Sequence, residues 1–117
     1  MEVSYKKLEI WQLSVALVKD IYTLSKLLPK DEDYILKQQL KRAIVSVALN
    51  IAEGKSRKTA KDFSNFLNIS VGSLAEVNAI LNLCDELGYL TNISDLYGRI
   101  EILGMKINAF RRSLECK

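Results

Sequence analysis

From Leu8 to Leu28 the apolar residues fall into two helical stripes. Leu8, Trp11, Val15, Val18 and Tyr22 form one, and Ile10, Leu13, Leu17, Ile21, Leu24 and Leu28 the other. The pattern predicts a helix over about 8–28, ended by Pro29, because proline disfavours helical geometry in the residue before it. Asp31, Glu32 and Asp33 suit the positive amino end of a second helix. That helix is expected over about 33–53, with Leu36, Leu40, Ile44, Val47, Ala48 and Ile51 as its apolar positions and Gly54 as its carboxy-terminal stop. Thr59 can cap a third helix over about 59–87, carrying Phe63, Phe66, Leu67, Val71, Leu74, Val77, Leu81 and Cys84, with Gly88 past its end. A fourth, over about 93–115, opens at Asn92 or Ser94. Its apolar residues Ile93, Leu96, Ile100, Leu103, Ile107, Phe110 and Leu114 alternate by three and four, a coiled-coil-like seam.

Short connections between four helices favour an all-α, single-domain, up-down-up-down antiparallel four-helix bundle over residues 1–117. One proline and five glycines leave few breaks for a strand-and-turn fold. The bundle core needs only about three positions in seven of each helix, so the Ile10, Leu13, Leu17 stripe is surplus and points to self-association. The alternative is a wider core face on the same helix.

Composition removes most chemistry. The 117 residues contain no histidine, the commonest general base and transition-metal ligand, and no Glu-x-x-Glu that could replace Glu-x-x-His in a bundle metal site. The expectation is therefore no enzyme, no metal and no cofactor. Cys84 reads as buried filler and Cys116 lies at a frayed end, without disulfide or metal spacing. The opening residues lack the apolar stretch of a signal peptide, and no uncharged run approaches the roughly 18 residues a membrane span needs. A cytoplasmic protein without a membrane partner is expected.

Ser46-Val47-Ala48-Leu49-Asn50-Ile51-Ala52-Glu53-Gly54, then Arg57, Phe63-Ser64-Asn65-Phe66-Leu67 and Gly72-Ser73-Leu74-Ala75-Glu76, form a series of motifs in a fixed order. With the opening Leu8-Glu9-Ile10-Trp11-Gln12 and the later Leu87-Gly88-Tyr89-Leu90, this series resembles the four-helix-bundle proteins of bacterial ribosomal RNA intervening sequences. The match runs from about residue 5 to residue 90, and the fourth helix agrees only in character. Ala48-Leu49 stands where the family often has Pro-Ser, and Ser70 where it has alanine. The resemblance implies a homo-oligomer without enzymatic activity, a five-membered ring. Relatives include the accessory variability proteins of retroelements, positively charged pentameric barrels that bind nucleic acid and a reverse transcriptase. Fold alone does not carry that function across.

Polar residues on the helices need partners. Ser46, Asn50 and Glu53 form one line, spaced by four and three, and Ser70, Ser73 and Glu76 another beside Gly72. Glu53 sits where the helix dipole disfavours an anion, so Lys55, Arg57, Lys58 or the free N–H groups of the third helix should compensate it. A hairpin centred near residues 56 and 57 puts Glu76 level with Lys37 and Ser73 with Leu40, so the two lines should not meet within one subunit. Lys37, Lys41 or a neighbouring subunit is the expected partner of Glu76, and close helix approach one reason for Gly72.

Charge distribution says more than the net charge of +3. Between Lys37 and Lys61 lie seven of the 17 basic residues, against the single acid Glu53. Lys41, Arg42, Lys55, Arg57, Lys58 and Lys61 are the candidate nucleic-acid contacts, made mostly to phosphate, and assembly would multiply their field. Ser46, Asn50, Glu53, Ser73 and Glu76 are candidate structural or interface residues. The alternative to RNA or DNA binding is an adaptor that presents a surface to a partner such as a nucleic-acid enzyme.

Overall fold

The computed structural model describes residues 4–115, and Cys116 lies outside them. Four helices follow in order, α1 (Glu9–Ser25), α2 (Leu36–Lys55), α3 (Ala60–Glu86) and α4 (Ser94–Glu115), and a short 3-10 helix, Ser4–Lys7, packs against α1 and α2. Each helix lies beside its neighbours in sequence and α1 closes the layer against α4, the up-down-up-down arrangement expected. The α2–α3 pair shares the most extensive interface and α1–α4 the least. The molecule measures 46 × 27 × 19 Å. No strand occurs among the described residues.

The end of α1 and the start of α2 both differ from expectation. Helix α1 stops at Ser25, and the next three residues wind tighter through bonds from Lys26, Leu27 and Leu28 N–H to Thr23, Leu24 and Ser25 C=O. That twist buries Leu28 and leaves Leu27 outside. The acidic cluster does not open α2. Lys30–Glu32 forms a separate 3-10 turn, and Ile35, at φ −121° and ψ −94°, breaks the path before α2 begins at Leu36.

The caps of α3 match its sequence. Thr59 Oγ1 accepts from the Asp62 N–H at 3.1 Å. At the other end Gly88 adopts φ 77°, Tyr89 N–H reaches Cys84 C=O and Gly88 N–H reaches Asp85 C=O, both at 2.9 Å, a complete Schellman closure. Gly54 acts differently. It lies inside α2, which runs on to Lys55, and a Cβ there would stand 2.7 Å from Phe63 Cδ1 and 3.0 Å from Phe66 Cβ. Glycine is present because α3 passes that closely, not because the helix must turn left-handed. Gly72 is the reverse case, since a Cβ there would meet nothing within 4 Å and close approach within the chain does not explain it.

The core runs the length of the bundle through Leu17, Ile21, Leu40, Ile44, Ile51, Leu67, Leu81, Leu103 and Ile107, all essentially inaccessible. On α4 the seam is as read: Ile93, Leu96, Ile100, Leu103 and Ile107 are buried, with Phe110 and Leu114 packed on the core's edge. On α1 the surplus stripe is the core itself. Ile10 and Leu17 are buried at 3% and 1% exposure, and Leu13 is partly buried against the cluster. Ser14 and Ser25 complete that face, each returning its hydroxyl to its own helix, Ser14 to Ile10 C=O and Ser25 to Tyr22 C=O, both at 2.7 Å. The wider-core alternative therefore holds for α1.

Helix α3 is long and apolar enough to cross a membrane by length and composition. In the bundle one side of it, from Phe63 to Cys84, fills the core, while Asn65, Asn68 and Glu76 face outward. Cys84 is fully buried, and burial first, then the Glu32 charge, holds its thiol above the usual cysteine range. In a Cys116→Ser background, maleimide should label Cys84 only as fast as the bundle opens, with the rate rising steeply in urea. Rapid labelling in buffer would contradict the core placement.

Candidate nucleic-acid interface

Antiparallel packing puts the α2–α3 loop, the start of α1 and the end of α4 at one end of the bundle. Lys55, Lys58 and Lys61 are exposed there and make no ion pair among the described residues. Arg57 is engaged, 3.4 Å from Glu53 and stacked 4.6 Å from the centre of the Phe66 ring. Of the candidate partners for Glu53, Arg57 is the ion-pair partner, and Ser56 Oγ adds a bond to Glu53 Oε2 at 3.3 Å. The pair is exposed on both sides and contributes little to stability.

Lys41 and Arg42 do not belong to this end. Lys55 lies thirteen positions beyond Arg42 along α2, about 20 Å at helical rise. Lys41 is half-buried, its ammonium 4.9 Å from the centre of the Tyr22 ring. Arg42 is exposed on the outward side of α2. Sequence adjacency grouped these residues with the loop, and helix length separates them.

The structure adds one cation to those picked out in the sequence. The last turn of α4 lies against the first turn of α3, with the Phe63 and Phe110 rings 5.4 Å apart, and this brings Arg111 beside Lys61, while Arg112 lines a separate hollow with Met105, Lys106, Asn108 and Ala109. The signal was present, since antiparallel order alone sets the end of a fourth helix by the start of a third. Carboxylates gather at the other end, with Asp31, Glu32 and Asp33 before α2, Asp85 and Glu86 closing α3, and Asp95 opening α4. There Glu32 accepts from the Tyr89 hydroxyl at 3.0 Å, and that bond is the main reason the phenol's pKa is raised. The bundle is thus polarised along its length.

The two polar lines do meet, against expectation. Ser46 Oγ lies 2.8 Å from Ser73 Oγ, and Asn50 Nδ2 donates to Ser46 C=O at 2.8 Å and to Ser46 Oγ at 3.0 Å. One turn away Ser70 Oγ donates to Val47 C=O. These pairs put the hairpin's centre near residue 59, because the loop extends to Thr59 and α2 does not end at Glu53. A shift of two or three residues at the centre moves each facing position by twice that. Glu76 consequently has neither of its two expected partners within the chain: Lys37 pairs with Asp33 at 2.5 Å, and Lys41 faces Tyr22.

The order of these motifs and the bundle they build agree with one sequence family. The profile of the 23S rRNA-intervening sequence protein matches residues 6–109. The chain belongs to that family. Among solved structures, a protein of unknown function from the S23 ribosomal protein family of Bacteroides thetaiotaomicron is similar over 90% of this chain and 94% of its own, with a TM-score of 0.65 and 23% identity. That likeness establishes the fold. No curated protein matches the chain. Neither description names a reaction, and the S23 relative's function is itself given as unknown.

Proposed function

We propose that this intervening-sequence protein is a non-enzymatic bundle that assembles with copies of itself and binds nucleic acid at its basic end. The convergence of unpaired Lys55, Lys58 and Lys61 with Arg111 at one end, away from most of the acidic clusters, carries the reading. Repetition of that end in an assembly strengthens the field for phosphate. The side chains suit backbone contacts and not base readout, so weak sequence preference follows.

Assembly is supported by the outward face of the α2–α3 pair. Leu49 is 59% exposed and Ile69 51%, and the register set by Ser46 and Ser73 puts them level with each other. Arg42 and Glu76 lie on the same face without ion-pair partners, positioned to pair between copies. A five-membered ring is the expected closed form of such an assembly.

The charge reversal Lys55→Glu with Lys58→Glu and Lys61→Glu tests the interface. In fluorescence anisotropy with single-stranded RNA and DNA, the unmutated protein should bind at about 50 mM salt and weaken steeply as salt rises. The triple variant should bind at least about a hundredfold less, with a shallower log–log salt slope and an unchanged oligomer. Lys41→Glu should leave binding as it was. Absence of binding by the unmutated protein at low salt would favour the adaptor reading.

A further inference from the structure

Between the first turn of α3 and the last turn of α4 lies an open cavity of about 380 Å³, lined by Lys61, Ser64 and Asn65 on one side and Arg111, Leu114 and Glu115 on the other. Arg111 sets it apart from the rest of the basic end. Its Nη1 donates to Asn108 Oδ1 at 3.1 Å, while Nε is closed off from solvent and has no acceptor. A guanidinium N–H buried without an acceptor carries a desolvation penalty that nothing within the described chain offsets. Across the cavity Lys61 is exposed and unpaired, and Ser64, 9% exposed, keeps a hydroxyl with no partner among the described residues. The helix start adds little, since Thr59 already takes the Asp62 N–H and Asp62 itself sits in the first turn.

We infer that this cavity seats one phosphate group of a bound nucleic-acid strand, gripped by Arg111 in a two-pronged hydrogen bond with Lys61 opposite and the Ser64 hydroxyl as a further donor. The inference rests on the nucleic-acid reading above and adds to it a defined seat and a residue, Arg111, outside the basic loop. Rotation of the guanidinium brings Nε–H and an Nη–H onto one acceptor, the fork geometry in which arginine holds phosphate. The volume is at the lower end of ordinary ligand pockets, room for a phosphate with its sugar, whose apolar face can rest on Leu114. Glu115 at the rim opposes the anion, so its charge should weaken the site.

A seat and a diffuse field differ in what they ask of Arg111. Arg111→Lys keeps the charge and loses the fork, so a seat loses affinity where a field does not. The measurement is anisotropy at about 100 mM salt on ten-nucleotide oligodeoxythymidine, with a 5′-phosphate or a 5′-hydroxyl. Arg111→Lys should weaken binding at least about fivefold, and Glu115→Gln should tighten it about twofold. If the unmutated protein prefers the 5′-phosphate and Arg111→Lys abolishes the preference, the seat takes a terminal phosphomonoester. Equal loss on both strands identifies an internal phosphodiester. Should Arg111→Lys change the thermal melt, Ser64→Ala, which removes one hydroxyl, carries the same expectation at about threefold. Arg111→Lys and Ser64→Ala binding like the unmutated protein, with the triple lysine reversal still defective, would overturn the seat and leave the wider reading standing. Failure of the unmutated protein to bind either strand would remove both.

Discussion

Replacing Phe63 with alanine should lower the unfolding free energy by about 3–5 kcal/mol, much of the stability of a chain this size. The Phe63 ring, 7% exposed, fills the space above Gly54 and packs against Phe110 in a tilted pair. Truncation removes its buried surface, leaves a cavity between α2 and α3, and strips the aromatic contact that ties the end of α4 to the start of α3. The opposite error is expected from Gly54→Val, whose Cβ would meet Phe63 Cδ1 at 2.7 Å and so overpack the same space, by about 2–3 kcal/mol. Because each change wrongs the site in the opposite sense, the double variant should recover about 1–3 kcal/mol relative to the sum of the singles. Urea midpoints measure all three, and the Phe63→Ala melting temperature should fall by roughly 10–20 °C. Strict additivity would mean that Gly54 and Phe63 do not share one packed volume.

That corner also marks where the sequence was legible and where it was not. Periods of three and four fixed four helices and placed Ile93, Leu96, Ile100, Leu103 and Ile107 in the core, because a buried helical face must repeat at the helical period. The core face of α1 was misjudged because Ser14 and Ser25 occupy it, and their hydroxyls are satisfied by their own helix. Polar residue type hid burial there. Gly54 was recognisable as special, yet stop and close contact look alike in one dimension, and only the passage of Phe63 separates them. The α2–α3 register failed by a few residues because it depends on where the loop ends. That small error hid the bond between Ser46 and Ser73. Lys55, Arg57, Lys58 and Lys61 were legible as a basic run, whereas Arg111 joins them through tertiary packing fifty residues further on.

Putting a carboxylate at Leu49 and another at Ile69 should reduce the proposed assembly to the 13.3 kDa chain without unfolding it. In the isolated bundle both side chains are more than half exposed, so Leu49→Glu and Ile69→Glu change a solvated surface by no more than about 0.5 kcal/mol each. If copies pack on this face as proposed, the same positions become buried. Each loses up to about 1.5–3 kcal/mol of apolar burial and adds an unpaired carboxylate to a desolvated contact, and the penalty recurs at every interface of a ring. Gly72 supplies an independent reading of the same surface. With nothing within 4 Å of its Cβ position, Gly72→Ala should raise the stability of a lone chain by up to about 1 kcal/mol through helix propensity. If a second copy packs there, the added methyl instead weakens association while the helix itself gains. Sedimentation of the double glutamate variant and of Gly72→Ala, each beside its thermal melt, separates stability from assembly. A 13.3 kDa species from the unmutated chain at micromolar concentration would end the assembly proposal, and an intact oligomer in the double variant would move the interface off α2 and α3.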